Sequence, residues 1–336
     1  MSPNKKVIIS IGILSLLYSL SMRVTKKAKD YTKSRDEIFR DVCKIKKSST
    51  DAEICENAET IENSMYGNAI ANCSSSFKVP KHSLEQLFYD DDFKIIACVP
   101  TKTGTSSWQR SFGSLKTATI LENEPHVKVP PMEFNNSQIF KAANRLSKLP
   151  YDVALHKLRS KSYTKVAHVR NPFSRLYSAW RQKFRKGHET LEFFMKKYGS
   201  KIREKYKDEG TETHEIKFEN FLRYVAETKN DRKFDLHWNT YQFYCTPCDI
   251  LYDVISKTET QDVDMETIFK KQKFKNSNFS AYDFIGQYLP KQYKDSPMKK
   301  NTLPELYKQV PSSLVQELVK IYYWDFKLFG YSTVIE

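Results

Sequence analysis

The sequence predicts an α/β fold: one domain with a central parallel sheet flanked by helices, set behind an N-terminal signal-anchor helix and a stem. Three observations carry this. Two short apolar runs, Lys94-Ile-Ile-Ala-Cys-Val99 and Lys165-Val-Ala-His-Val169, have the length of buried strands, and each runs through a loop into a helical pattern. Strands that alternate with helices build a parallel sheet. Ahead of both lie an uncharged stretch, Val7 to Met22, and a polar segment of poor hydrophobic periodicity.

Residues 1–6 form a short tail carrying Lys5 and Lys6, and 7–22 are the anchor. The anchor is short for a membrane span, which takes about 17–25 residues, and long for a cleavable signal core. Arg23 and a run of lysines follow it in place of a small-residue cleavage site, so it is expected to stay uncleaved. Arg23, Lys26, Lys27, Lys29 and Lys33 on its far side oppose the positive-inside rule. The sequons at Asn72, Asn135 and Asn278 favour the opposite orientation, because they accept glycan only in the lumen. Residues 23–88 are a lumenal stem with one helix around Asp36 to Lys47, and 89–336 are the folded domain.

The chain of 336 residues is 13% aromatic and 28% charged, which excludes a disordered chain and leaves room for a sizeable core. Its formal charge of +15 suits an anionic partner. Between Lys157 and Lys186 there is no Asp or Glu at all. No zinc-finger, RNA-recognition or basic-zipper pattern occurs, so nucleic acid is not the expected partner. Of six cysteines, Cys43, Cys55 and Cys73 lie in the stem, Cys98 lies within the first apolar run, and Cys245 and Cys248 form Cys-Thr-Pro-Cys. In a lumenal chain Cys245 and Cys248 are expected to be oxidised, to each other or to stem cysteines. A zinc site is the rival, but no second CxxC or HxxxH supplies further ligands.

In the domain, Pro100 to Thr105 is a loop and Ser106 opens a helix. Tyr151 to Ser160, a run beginning at Pro172, Leu191 to Lys205, Phe218 to Glu227 and Ser312 to Trp324 carry helical patterns. The loop Thr101-Lys-Thr-Gly-Thr-Ser-Ser107 joins strand to helix. Backbone N–H groups at such a junction hold phosphate. Lys102 adds a cation, Gly104 the turn, and Thr103, Thr105, Ser106 and Ser107 add hydroxyls. The lysine precedes the glycine, so this is not a nucleoside-triphosphatase loop. In Val169-Arg-Asn-Pro-Phe-Ser-Arg-Leu-Tyr-Ser-Ala-Trp180, Pro172 suits the first helical turn. Phe173, Leu176, Trp180 and Phe184 form an apolar stripe. Arg170 and Ser178 can converge on one phosphate, which an arginine fork binds in bidentate fashion.

These motifs resemble the donor loop and 3′-phosphate motif of sulfotransferases. The run from Arg170 to Phe184 is specifically similar to the chondroitin 4-O- and HNK-1-type carbohydrate sulfotransferase family. So are Phe218-Glu-Asn-Phe-Leu222, the block from His237-Trp238 through Cys245-Thr-Pro-Cys248, Tyr252-Asp253 and Glu259-Thr260, and Asp325-Phe-Lys-Leu-Phe-Gly-Tyr331. The chain departs from the family at Thr101, where proline is usual, and at Gly104-Thr105-Ser106-Ser107.

The resemblance implies a single P-loop-like sulfotransferase domain, 3′-phosphoadenosine 5′-phosphosulfate (PAPS) as co-substrate with no metal, and a chondroitin-type glycan as acceptor. It implies a single-pass type II protein of the Golgi membrane. Thr101 to Ser107, Arg170 and Ser178 are then the donor-binding residues. Lys102 is the expected stabiliser of leaving-group charge. His237 is the first candidate for general base, because imidazole titrates near neutrality; a buried role ordering Trp238 is its rival. His156 stays open as a base, and His168, in a strand core, is expected to be structural. The alternatives are sulfation of another glycan (dermatan, HNK-1-type or N-glycan) and a protein of the same fold that binds acidic glycans without catalysis.

Overall fold

A computed structural model describes residues 79–123, 143–185, 191–207, 215–229, 234–270, 281–282, 285 and 302–335. The expected anchor, nearly all of the stem, and Asn72, Asn135 and Asn278 lie outside them. Among the described residues no helix is long and apolar enough to cross a membrane.

The centre is a five-stranded sheet in the order β3-β1-β2-β4-β5. Its strands are β1 (Leu87–Asp90), β2 (Ile95–Cys98), β3 (Asn144–Arg145), β4 (Thr164–Val169) and β5 (Val254–Lys257). β2 and β4, the two strands that the sequence names, are parallel as expected, and β5, which it does not name, joins β4 in parallel. β1 and β3 are not: β1 runs antiparallel to both β2 and β3, so the sheet is mixed. The reason is local. Only four residues separate β1 from β2, and so short a connection can only reverse the chain. Asp90 closes that turn by accepting the amides of Asp92 at 3.0 Å and Phe93 at 2.8 Å. The packed region therefore takes in residues that the sequence places at the end of the stem. Val79, Leu84, Leu87 and Phe88 are all buried.

Strand alternation sends side chains to two cores. Ile96, Cys98, Ala167 and Val169 face one layer with Leu158, Tyr241 and Tyr252. Ile95, Ala97, Val99 and Val166 face the other with Trp108, Phe112 and Phe269. The helices Thr105–Asn123 and Gln261–Phe269 contribute to that second face. A third, aromatic core is helical. The stripe Phe173, Leu176, Trp180 and Phe184 buries against Phe194, Phe218, Phe221, Trp238 and Phe326. This is the amphipathic face that the spacing predicts, and it fixes the rotation of the Pro172–Phe184 helix.

Candidate active site

The site forms at the carboxyl ends of β2 and β4, where each strand turns into a helix. Past β2 the backbone of Lys102 is left-handed, φ 71°, and Gly104 has φ 101°. A Cβ on Gly104 would lie 2.8 Å from Gln261 Oε1 and 3.4 Å from His168 Nε2. Glycine is thus needed for both the turn and the close approach. Left-handed residues in such a loop turn successive N–H groups toward one concavity, which favours an anion. At the start of the Thr105–Asn123 helix the amides of Ser107 and Trp108 donate to the Gly104 carbonyl at 3.0 and 3.2 Å, and those of Thr105 and Ser106 precede the first intrahelical bond.

The loop is braced by its own hydroxyls. Thr103 and Thr105 donate to the Pro100 carbonyl at 2.7 and 2.8 Å, and Thr101 donates to the Leu236 carbonyl at 2.5 Å. Ser106 is exposed and Ser107 half-buried at the helix mouth. The carbonyl of Thr103 accepts from His168 Nε2 at 2.5 Å and Thr258 Oγ1 at 2.8 Å. Because a carbonyl only accepts, His168 carries its proton on Nε2, and Nδ1 accepts from Ser256 Oγ at 2.9 Å. Burial pushes the His168 pKa down to about 3, so the ring is a neutral strut. Its structural role matches expectation.

Past β4, Asn171 caps the helix by accepting the amides of Phe173 and Ser174, and Pro172 takes the first turn. Arg170 folds back over this start. Its Nε donates to Ser174 Oγ at 2.8 Å, and an Nη donates to the Lys102 carbonyl at 3.2 Å. Arg170 and the lysine loop are therefore joined. Ser178 lies half-buried, one turn beyond Ser174 on the same face. Lys102 Nζ reaches across to Gln182 Oε1 at 2.6 Å, one further turn along.

Arg175 was not singled out by the sequence, yet it ties the site together. Its side chain is buried, donating to the carbonyls of Thr101 at 3.0 Å, Asn239 at 2.5 Å and Leu236 at 3.4 Å, and it stacks on Tyr241. It thus links the loop after β2 to the turn that bears His237. In that turn His237 Nδ1 lies 2.6 Å from Asp235 Oδ1, and Tyr198 donates to Asp235 Oδ2 at 2.5 Å. Burial works against the Asp235 carboxylate, but the hydrogen bonds from His237 and Tyr198 outweigh it and hold its pKa down at about 2. Burial lowers the His237 pKa, opposed by Asp235 and helped by the nearby Lys183 and Lys102. A neutral ring with Nδ1–H on a carboxylate leaves Nε2 as a base.

His156 lies elsewhere. It shares an open concavity with Asp152, Val153 and Arg159, all on the one helix Tyr151–Arg159, and no residue of the loop or of the Pro172–Phe184 helix lines it. Cys245 and Cys248 are both oxidised, as expected, but one partner differs. Cys245 is bonded to Cys98, with Cα atoms 5.7 Å apart. Cys98 ends β2 inside the core, and no spacing rule points to it. Cys248 is also disulfide-bonded. Among the described residues no cluster of metal ligands occurs.

A sequence profile described as Sulfotransferase family matches residues 85–332. Carbohydrate sulfotransferase 10 of Rattus norvegicus is 30% identical over 284 residues, covering 82% of this chain and 75% of that protein. Carbohydrate sulfotransferase 11 of Rattus norvegicus is 28% identical over 258 residues, covering 75% of this chain and 68% of that protein. Carbohydrate sulfotransferase 14 of Danio rerio is 30% identical over 256 residues, covering 75% and 63%. No solved structure matches the chain.

Proposed function

The chain belongs to the sulfotransferase family, and from that premise we propose that it is a Golgi carbohydrate sulfotransferase that moves sulfate from PAPS to O-4 of N-acetylgalactosamine in chondroitin. Membership carries the broader activity, sulfation of a carbohydrate, and implies PAPS as the donor. The finer acceptor rests on the likeness of the motifs from Arg170 to Tyr331.

One observation carries the donor site: the Arg170 guanidinium is bonded to both Ser174 and the carbonyl of Lys102. That contact draws the cation of β4 onto the phosphate-type loop of β2. The residues fit an extended nucleotide with phosphates at both ends, since the glycine turn and the helix start adjoin two cations, Arg170 at Ser174 and Lys102 at Gln182, that meet one helix two turns apart. When bound, PAPS supplies the activated sulfuryl group and a phosphate leaving group. Arg170, with Ser178, holds the 3′-phosphate. The loop amides and Lys102 hold the 5′ end and stabilise negative charge there. His237 Nε2 accepts the proton of the acceptor hydroxyl, with Asp235 holding the ring. The Cys98–Cys245 disulfide supports a lumenal domain, because such bonds persist in oxidising compartments.

The test is donor-dependent transfer of labelled sulfate to a glycan panel, paired with titration of 3′-phosphoadenosine 5′-phosphate. Arg170→Ala should weaken nucleotide binding about ten- to a hundredfold, and Ser178→Ala about two- to tenfold. Lys102→Ala should lower turnover more than it lowers donor affinity. Unchanged nucleotide affinity in a folded Arg170→Ala protein would sink the assignment. Digestion of the domain by protease added to intact microsomes would overturn the lumenal orientation.

A further inference from the structure

Most large apolar side chains of the described fold are buried, and two of the exceptions stand beside His237. Phe193 is 61% exposed and Leu236 is 40% exposed. Leu236 precedes His237, and its carbonyl receives Thr101 and Arg175. Phe193 lies in the helical turn Leu191–Phe194, and its ring meets Phe194 edge-on at 5.4 Å. Phe194 meets the His237 ring in the same manner at 5.2 Å. Phe193 is therefore two ring contacts from the candidate base, on the solvent side.

A lysine accompanies it. Lys197 Nζ lies 5.8 Å from the centre of the Phe193 ring and 4.8 Å from that of Tyr198. It also lies 3.5 Å from Asp235 Oδ2. That carboxylate already has closer partners in His237, at 2.6 Å, and Tyr198, at 2.5 Å. The Lys197 side chain remains 49% exposed. Its ammonium is thus within reach of a ligand while Asp235 keeps two hydrogen bonds. The turn that follows Phe194, Met195–Gly199, is π-helical, a distortion often found at functional sites.

We propose that Phe193, Leu236 and Lys197 form a subsite for the acceptor sugar next to the one that is modified. The Phe193 ring and the Leu236 side chain cover the C–H face of the sugar, and Lys197 pairs with a carboxylate on it. An exposed aromatic face suits a pyranose ring, which is apolar on its C–H side. The lysine keeps a half-exposed ammonium on this edge, and Lys102 lies near His237, so the matching occupant is a glycan with an anionic residue beside the acceptor unit. This rests on the transferase reading above and assigns residues to its acceptor side.

The experiment uses the full chain with two polymers, chondroitin and chondroitin whose carboxyl groups have been reduced to alcohols. Phe193→Ala should raise the acceptor KM about tenfold on both, the effect of one lost contact of moderate strength. Lys197→Gln should raise it about tenfold on chondroitin only, and Lys197→Arg should restore it. Affinity for 3′-phosphoadenosine 5′-phosphate should stay within about twofold of wild type, because neither residue touches the donor loop. Direct titration of chondroitin oligosaccharides into the same variants gives a readout that needs no transfer. Weakened oligosaccharide binding in both Phe193→Ala and Lys197→Gln supports the subsite even if no sulfate is moved, in which case the transferase reading alone has failed. Unchanged binding in both, or a Lys197→Gln loss equal on the two polymers, overturns the subsite.

Discussion

The hydroxyl of Tyr241 sits between the amide and the carbonyl of Arg170, accepting from the first at 2.8 Å and donating to the second at 3.0 Å. Tyr241 is itself held from behind. Its amide donates to the Asp325 carboxylate at 3.1 Å, and its ring packs on Phe329. The C-terminal Asp-Phe-Lys-Leu-Phe-Gly-Tyr run thereby reaches the strand end that carries Arg170.

Replacing Tyr241 with Phe keeps the ring and removes both bonds. Two backbone groups of Arg170 then lose their partner, which costs about 1–3 kcal/mol. Tyr241→Phe should lower the urea midpoint and weaken binding of 3′-phosphoadenosine 5′-phosphate several-fold, since Arg170 loses its backing. Calorimetric titration and a urea series measure the two effects. A stability loss with unaltered nucleotide affinity would show that the clamp supports only the fold.

The elements with strong local signals were legible in the sequence. The apolar run before Val99, the Pro172 start and the stripe from Phe173 to Phe184 stand where their patterns place them. β1 and β3 were not legible, because Leu87–Asp90 is four residues of mixed character and Asn144–Arg145 only two. Pairing with β2 and β1 makes them strands, and pairing is non-local. The same holds at the site. Lys102, Gly104 and Arg170 announce themselves by motif and lie together, whereas Arg175 and Gln182 look like one helix's ordinary polar face. Their roles depend on carbonyls and a lysine contributed by other segments.

The Cys98–Cys245 bond joins the strand feeding the loop to the Tyr241–Cys245 helix, across a sequence separation of 147 residues. Loop-closure entropy for so long a loop is about 5 kcal/mol in the chain-entropy account. The double variant Cys98→Ala, Cys245→Ala should lose several kcal/mol in urea unfolding. It should also bind nucleotide less tightly than wild type, as the loop begins just past Cys98. Equal unfolding midpoints for the wild type and the double variant would refute the stabilising role.

His168 makes a signed prediction about acid. Its folded pKa, about 3, lies below the ordinary 6.5 because of burial. The unfolded chain therefore takes up this proton first as pH falls. The associated stability is fully present above pH 6.5 and is lost as pH drops toward 3, at about 1.4 kcal/mol per unit. His168→Gln removes that proton from the balance. Its unfolding free energy should depend less steeply on pH over this window, by close to one proton, while its stability at pH 7 falls through the lost strut to Thr103. Parallel pH profiles for the two proteins would mean that the ring is not buried neutral.

The final prediction separates a base from a merely structural histidine at position 237. A base must be neutral to act, so protonation stops it. Burial and the nearby lysines hold the His237 pKa below its ordinary 6.5, and Asp235 opposes them. Turnover should thus hold through neutral pH and fall on an acid limb below 6.5. Asp235→Asn removes the opposing carboxylate, which moves the limb to lower pH. It also replaces one carboxylate oxygen with an NH2 that can donate to Nδ1, so the Nδ1–H tautomer is no longer fixed and the plateau should drop by about a hundredfold or more. Donor affinity should change little, since Asp235 faces His237, Tyr198 and Lys197 rather than the loop. Tyr198→Phe should give a smaller drop, because one neutral hydrogen bond is worth about 0.5–1.5 kcal/mol. If His237 only orders Trp238, Asp235→Asn lowers stability but leaves the position of the acid limb where it was. Turnover measured from pH 5 to 8 at saturating donor and glycan, alongside thermal melts, distinguishes the two roles.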